Sequence, residues 1–153
     1  LMNVDGDDLI SNRILEFVNH NNNNGIIDGW YIPKGYVWEN GSRIIMRQKQ
    51  MQNFNGSTHI IREDIVKIPD FSSSDWLDYN LFASHGWILS RLKQYMGKIL
   101  QPISFPAVIY VVHESNDSKI KNSISGKSLK GLAKKILRGQ FLTRKLKDEF
   151  FIS

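Results

Sequence analysis

The sequence contains no cysteine and no apolar segment long enough to cross a membrane. Without cysteine among its 153 residues, the chain has no disulfide, no thiolate zinc site and no cysteine nucleophile. This composition is typical of a reducing compartment. The longest apolar run, Phe105 to Val112, is far shorter than the roughly 20 residues that span a bilayer. Leu1 to Asp5 lack the basic and apolar regions of a secretory signal, so we expect no signal peptide and no membrane partner.

The apolar and aromatic residues are sufficient for a packed core. Hydrophobic residues make up 41% of the chain, which has four Trp, eight Phe and five Tyr. This content argues against global disorder. The length is that of one ordinary domain, and we therefore expect residues 1–153 to form a single domain.

The positive charge is concentrated in the last quarter of the chain. Lys119 to Ser153 contain ten Lys or Arg against two acidic residues, a net charge of +8. Residues 1–118 contain ten basic and thirteen acidic residues, a net charge of −3. The basic character therefore belongs to the C-terminal segment and not to the whole domain.

Hydrophobic periodicity predicts an α+β domain, in which a small antiparallel meander packs with helices in one or two lobes. Strands are predicted at Ile26–Ile32, Tyr36–Trp38, Arg43–Gln48, His59–Arg62 and Ala107–His113. Asn40-Gly41 and Asn55-Gly56 are hairpin signals between the middle strands. Helices are predicted from a cap at Asp7 or Asp8 through Leu9, Ile10 and Ile14 to His20, then at His85–Leu100, Ser128–Arg138 and Leu142–Phe150. The second helix should bury Ile88, Leu92, Tyr95 and Ile99 on one face. The third should bury Leu129, Leu132, Ala133, Ile136 and Leu137.

Motifs that would indicate catalysis or cofactor binding are weak. Ser125-Gly126-Lys127-Ser128 is similar to the end of a phosphate-binding loop, but Lys121 stands where that loop requires glycine. The four histidines are scattered without metal-ligand spacing, and we expect His59 and His113 at the surface or at the rim of a sheet. We therefore predict a non-enzymatic protein with no catalytic residue, no metal ligand and no cofactor.

The basic C-terminal helix has three alternative interpretations. Its cations could contact nucleic-acid phosphates with little sequence preference. They could equally face an anionic membrane surface, or form a solvated face of a helix that packs on the core. The candidate phosphate contacts are Lys127, Lys130, Lys134, Lys135 and Arg138.

Four aromatic residues, Trp30, Tyr31, Tyr36 and Trp38, are clustered in the early strands. Exposed aromatic side chains on a sheet can stack on bases or anchor a protein interface, but more often such residues belong to the core. Period-two alternation places Trp30 and Ile32 on one side of a strand and Tyr31 on the other.

Two short motifs are similar to those of a known family. Ile27-Asp28-Gly29-Trp30-Tyr31-Ile32 and Asp64-Ile65-Val66-Lys67, followed by Asp70-Phe71, resemble segments of the origin-recognition-complex-interacting region in the silent information regulator one family of yeast silencing proteins. Leu81-Phe82 and the later basic and apolar positions Leu92, Lys93 and Lys98 also fit. The resemblance extends over about half the chain, from Ile26 to Leu100.

The resemblance implies a nuclear protein-interaction domain without enzymatic activity. Its partner would be the bromo-adjacent homology domain of the largest origin recognition complex subunit, and it would help recruit other silencing proteins and establish transcriptionally repressed chromatin. In that family the interface includes the segment before the Asp-Gly-aromatic motif, which is His20 to Ile27 here. An interface also needs apolar or aromatic anchors with a polar rim. The candidate partner-binding residues are His20, Asn23, Asn24, Ile26, Ile27, Tyr31 and Tyr36.

Overall fold

The computed structural model describes residues 1–22, 27–53, 55–66, 81–113 and 136–153. Helices and largely antiparallel strands are interspersed along these ranges, which confirms the predicted α+β class. The predicted loop from Asn116 to Ser125 and most of the predicted basic helix, Ser128 to Arg138, lie outside the described residues.

The elements follow one another along the chain as short strands and helices. The strands are β1 (Leu9–Ile10), β2 (Gly29–Tyr31), β3 (Lys34–Glu39), β4 (Ile44–Lys49), β5 (His59–Ile61), β6 (Gln101–Pro102), β7 (Val108–Val112) and β8 (Gly139–Phe141). The α-helices are α1 (Arg13–Asn21), α2 (Ile88–Met96) and α3 (Arg144–Phe150). Single 3-10 turns occupy Met51–Asn53, Glu63–Ile65 and His85–Trp87.

The strands form two sheets. The larger sheet has the order β1-β7-β3-β4-β8, in which β3 and β7 are parallel and the other neighbours are antiparallel. The smaller sheet has the order β5-β2-β6, with β2 antiparallel to β5 and parallel to β6. The Asn40-Gly41 hairpin between β3 and β4 forms as predicted, with Gly41 at a φ of 82°.

The four early strands do not pair consecutively, as a simple meander would require. β2 pairs with β5, and β3 and β4 belong to the other sheet, where β7 inserts beside β3. A local turn signal can specify a hairpin such as β3–β4, but it carries no information about pairing between strands that are distant in sequence. The Asn55-Gly56 turn therefore leads into β5 without joining β5 to β4.

The main core lies between the two sheets and α1. Trp30 of β2 and Ile32, just after β2, pack there with Val108 of β7 and Ile14 of α1. The ring of Phe17 meets that of Trp30 edge-on, with 6.4 Å between the centroids. Tyr31 is half-buried and packs with a different cluster, so the alternation predicted for Trp30, Tyr31 and Ile32 is confirmed.

Two further clusters hold the remaining helices. Helix α3 contributes Leu146 and Phe150 to a cluster with Tyr36, Trp38 and Ile45 on one face of the larger sheet. Helix α2 contributes Ile88 and Leu92 to a cluster with Ile61, Ile65, Leu81 and Leu100. Thr143 caps α3 by accepting a hydrogen bond from the backbone N–H of Leu146.

The first helix begins later than predicted. Leu9 and Ile10 form β1 against β7, and α1 starts at Arg13. Asp8 is buried and does not cap the helix. The prediction was wrong because Leu9 and Ile10 fit the spacing of α1 but are held by a strand roughly one hundred residues away, which periodicity cannot detect.

Helix α2 is shorter than predicted. Gly97 ends it in a left-handed conformation, with a φ of 66°, and its N–H donates to the carbonyls of Leu92 and Lys93. Ile88 and Leu92 are buried as predicted, but Tyr95 and Ile99 are 53% and 55% exposed. Ile136 and Leu137, also predicted to face inward, are exposed. The four exposed side chains lie on parts of the surface that the described neighbouring elements do not cover.

Candidate protein-interaction surface

The two motif segments of the sequence are direct neighbours in the fold. Strand β2 places Gly29 opposite Ile61 of β5, and the backbone N–H of Arg62 donates to the carbonyl of Asp28 at 3.0 Å. The Asp-Gly-Trp segment is thus hydrogen-bonded to the residues just before Asp64, and Tyr31 packs in the same hydrophobic cluster as Ile65 and Val66, although more than thirty residues of sequence separate the two motifs.

The side chain of Asp28 connects this unit to the segment after α2. Its carboxylate accepts a hydrogen bond from the backbone N–H of Ile99 at 3.0 Å and lies 3.4 Å from the ammonium of Lys98. A buried or half-buried carboxylate with a backbone N–H donor and a cationic partner is well compensated for its lost hydration. Asp28 thus fixes the position of Lys98 and Ile99 relative to β2.

Gly29 is required by the close approach of β2 and β5. Its φ is 145°, and a Cβ atom at this position would lie 2.2 Å from the backbone oxygen of Ile60. No larger residue fits without displacing the backbone of β5. Trp30, next in sequence, is buried in the main core. Gly29 and Trp30 of this motif therefore build the scaffold and do not themselves present a contact surface.

The second motif is anchored in the core through its apolar residues. Ile65 is 5% exposed and packs in the cluster that includes Leu92 of α2, and Val66 packs at its edge. Arg62 donates to the carboxylate of Asp64, and this hydrogen bond lowers the pKa of Asp64 below its usual value. Lys67, Asp70 and Phe71 lie outside the described residues.

An exposed surface surrounds Asp28. We define the Asp28 surface as Ile27, Asp28, Lys98 and Ile99. Ile27 is half-buried against the main core, whereas Ile99 leaves more than half of its side chain exposed. Ile99 is thus one exposed aliphatic side chain beside a partly shielded ion pair, a combination that protein-docking sites contain.

The predicted partner-binding residues have different positions in the structure. His20 is exposed in the last turn of α1, where its Nδ1 is 2.9 Å from the carbonyl oxygen of Glu16. Tyr31 and Ile27 are half-buried. Asn23, Asn24 and Ile26 lie outside the described residues.

Tyr36 was wrongly predicted as a docking anchor. It is only 6% exposed, and its ring packs edge-on against Phe150 of α3, with 6.0 Å between the centroids. Trp38 is also in the core, and its indole N–H donates to the carbonyl of Ser42 at 2.8 Å. Both face α3 because β3 is a central strand of the larger sheet, which is covered by that helix.

Of the predicted phosphate contacts, only Arg138 lies among the described residues. It is exposed just before β8, and Arg144 and Lys145 of α3 are also exposed. Lys127, Lys130, Lys134 and Lys135 are outside the described residues. The described part of the C-terminal segment therefore keeps basic side chains at the surface, as its charge predicts.

A buried polar cluster connects the N-terminal segment to the turn before β5. The carboxylate of Asp8 accepts hydrogen bonds from Asn55 Nδ2 at 2.9 Å and Ser57 Oγ at 2.5 Å, while its buried Oδ1 has no partner among the described residues. Burial raises the pKa of Asp8 to about 6, partly offset by the hydrogen bonds from Ser57 and Asn55. No sequence pattern indicated this cluster, since Asp8 is about fifty residues from Asn55 and Ser57 and each of the three is typical of a turn or cap.

His59 is not the surface residue that strand alternation suggested. It is 4% exposed, because its strand β5 is covered on both faces. His113 is half-buried and lies 2.8 Å from the carboxylate of Asp7, a pairing that no sequence spacing indicates. Among the described residues, no group of three or more His, Asp or Glu side chains is arranged to hold a metal ion. None of the described helices is long and apolar enough to span a membrane.

Comparisons with protein-family models, with curated proteins and with solved structures found no match to this chain. The silencing-family resemblance therefore rests on the short sequence motifs.

Proposed function

We propose that this chain is a non-enzymatic, nuclear protein-interaction domain that binds the bromo-adjacent homology domain of the largest origin recognition complex subunit. In this role it helps recruit other silencing proteins and establish transcriptional silencing. The Asp28 surface, together with the preceding segment from His20, is the proposed docking site.

The observation that carries the proposal is the contact between the two motif segments. The first motif is hydrogen-bonded to Ile61 and Arg62, which directly precede the second motif. Tyr31 of the first motif and Ile65 of the second belong to one hydrophobic cluster. Lys98, a third position of the resemblance, pairs with Asp28 of the first motif. A chance similarity of short motifs would not require these positions to meet in space.

The surface beside this unit has the character of a docking site. Ile99 is exposed and is held in place by its backbone hydrogen bond to Asp28, so presenting it to a partner requires little ordering. His20 is exposed at the end of α1. A fixed apolar side chain with charged neighbours supports binding to a protein surface with an apolar pocket.

Isothermal titration calorimetry with the recombinant bromo-adjacent homology domain tests this function. We expect saturable binding, and no heat of binding at tens of micromolar would contradict the proposal. Ile99→Glu places a charge in the proposed apolar centre and should weaken binding by at least about tenfold. Phe141→Ser removes a similarly exposed apolar side chain from β8 and should leave binding unchanged. Equal effects of the two substitutions would exclude the Asp28 surface as the docking site.

Nucleic-acid binding by the C-terminal segment is the alternative function. The exposed Arg138, Arg144 and Lys145 favour it, together with the net charge of the segment. A titration of duplex DNA at increasing salt decides, because phosphate contacts weaken steeply as counterions compete. Binding at low salt that Arg144→Gln and Lys145→Gln reduce together would support this alternative, and no binding at low salt would eliminate it.

A further inference from the structure

Strand β8 is an open edge of the larger sheet. It pairs on one side with β4, and no other described strand pairs with its outer side. The outer edge of β5 in the smaller sheet is occupied, because Leu1 exchanges hydrogen bonds with Ile61 and Met2 bridges Ile60. The remaining edge strands, β1 and β6, have only two residues each. Strand β8 therefore offers the longest unpaired edge in the described part of the chain, and such an edge is a template for another extended segment.

The register between β4 and β8 determines which backbone groups of β8 are open. Phe141 lies opposite Ile44. At the next pair, the backbone N–H of Leu142 donates to the carbonyl of Arg43 at 2.9 Å. Hydrogen-bonded and non-hydrogen-bonded pairs alternate along an antiparallel ladder, so Phe141 directs its own N–H and C=O away from β4. Gly139, two residues earlier, directs its backbone groups to the same open side.

The two faces of this edge differ in chemistry. Ile44 and Phe141 are opposite each other on one face, where they are 36% and 75% exposed. Because side chains alternate along a strand, Arg43 and Arg47 project from the other face, together with Gln140 of β8. Arg47 Nε donates to Gln140 Oε1 at 2.8 Å, so the guanidinium of Arg47 already extends over β8. The edge is therefore apolar on one face and cationic on the other.

Helix α3 adds to the positive charge. It packs on the face of Ile45, which is also the face of Arg43 and Arg47. Lys147 of α3 and Arg43 line one cavity of about 550 Å³ beside β8. The ammonium of Lys147 donates to the carbonyl of Ser153 at 3.3 Å. None of these three cations forms an ion pair with another described residue, so the face can attract an acidic partner.

We propose that the β8 edge binds an extended segment of a partner protein in which acidic and apolar side chains alternate. The segment adds a sixth strand to the larger sheet, and its backbone bonds to the open groups of Gly139 and Phe141. Its apolar side chains lie against Phe141, and its acidic side chains lie on the face of Arg47. A second copy of the β8 edge would bring like charges together, so the charge favours a different, acidic chain. The edge shares no residue with the Asp28 surface, and the proposal does not depend on the docking function of that surface.

A set of short synthetic peptides tests this assignment on the unaltered protein. The first alternates glutamate and valine, the second has the same composition in two separate blocks, and the third alternates lysine and valine. Fluorescence anisotropy should show the first peptide binding at least about tenfold more tightly than either of the others. Equal affinities of the first and second peptides would indicate charge attraction alone and would overturn strand addition. Binding of duplex DNA at low salt without binding of any peptide would overturn the proposal in favour of phosphate contacts.

Hydrogen exchange at individual amides locates the binding site. The amides of Gly139 and Phe141 should exchange rapidly in the free protein, and the alternating acidic peptide should slow both. The amide of Leu142, which already donates to Arg43, is the internal control and should not change. If Gly139 and Phe141 are protected without peptide when the protein dimerises, the edge belongs to a second copy and the proposal is wrong.

Substitution of the two arginines tests the charge requirement. The double variant Arg43→Gln, Arg47→Gln should bind the alternating acidic peptide at least about tenfold more weakly. Both side chains are exposed, so the fold should persist. The double variant Lys34→Gln, Lys93→Gln removes the same charge from exposed positions outside the β8 edge, and it should bind as the unaltered protein does. Equal losses in the two double variants would contradict recognition at the β8 edge.

Discussion

The side-chain carboxylate of Asp28 accepts a hydrogen bond from the backbone N–H of Ile99 at 3.0 Å, across 71 residues of sequence. This contact holds the chain after α2 against the residue that immediately precedes β2. It places an exposed apolar side chain at a fixed position beside the Asp-Gly-Trp segment. The geometry of the Asp28 surface therefore depends on the Asp28 carboxylate.

Substitution of Asp28 should destabilise the protein through the hydrogen bond to Ile99 more than through the ion pair. Asp28→Ala leaves that N–H without its acceptor and should lower the free energy of unfolding by about 1–3 kcal/mol in urea titrations. Lys98→Met removes only the partly exposed ion pair and should have an effect of about 1 kcal/mol or less. Because Asp28→Ala removes both interactions, equal losses with the two variants would show that the ion pair dominates.

Gly29 should not tolerate even the smallest side chain. Gly29→Ala places Cβ 2.2 Å from the carbonyl oxygen of Ile60 at a φ of 145°, and we expect it to lower the free energy of unfolding by at least about 2 kcal/mol. Gly6→Ala is the control, because a Cβ there meets nothing within 4 Å. Unfolding midpoints in urea that agree for the two variants would contradict the close approach of β2 and β5.

Asp8 should make the protein less stable as the pH rises from about 4 to about 6. Its pKa is raised from 3.8 to about 6 in the folded protein, so folding favours the protonated acid. The stabilisation is complete below pH 3.8 and is lost as the pH rises through 6, a change of up to about 3 kcal/mol. In Asp8→Asn, the unfolding free energy should no longer fall as the pH rises across this range. In Glu16→Gln, the control at an exposed position, it should still fall. An unchanged profile in Asp8→Asn would show that the pKa of Asp8 is the same in the folded and the unfolded chain.

His59 should have the opposite effect in an overlapping range. Its pKa is lowered from 6.5 to about 4, so the folded protein favours the neutral ring. The associated stability is present above pH 6.5 and is lost as the pH falls towards 4, by up to about 3 kcal/mol. In Asp8→Asn this decline towards acid should become visible in urea titrations, and His59→Gln in the same background should remove it. His20→Gln is the control and should keep the loss of stability towards acid pH. If that loss persists in His59→Gln, groups other than His59 cause it.

Local patterns predicted several elements well. The hairpin of β3 and β4 was indicated by Asn40-Gly41, and β7 by its run of β-branched residues, because both signals come from a few adjacent side chains. Trp30 and Ile32 were correctly placed on one side of their strand. The distribution of strands between two sheets was not predictable, since pairing such as β2 with β5 depends on which distant edges meet.

For the candidate sites too, sequence patterns indicated local segments but not the contacts between them. The two motif segments were visible in the sequence, but their packing in one hydrophobic cluster was not. Tyr36 looked like a docking anchor and is a core residue, because only the position of α3 determines which face of β3 is covered. Asp8 and His59 looked like a cap and a surface residue, and both are buried by segments about fifty residues away or by a neighbouring strand.

The amino-acid order alone determined the α+β class, the β3–β4 hairpin, the C-terminal helix and the basic charge at the end of the chain, because these depend on side chains within one or two turns of each other. Tertiary structure decided the pairing of Asp28 with Ile99, the burial of Asp8 and the burial of His59. Each of these brings together groups from distant segments of the chain. The groups lose their hydration, and their pKa values shift, only when the folded chain buries them.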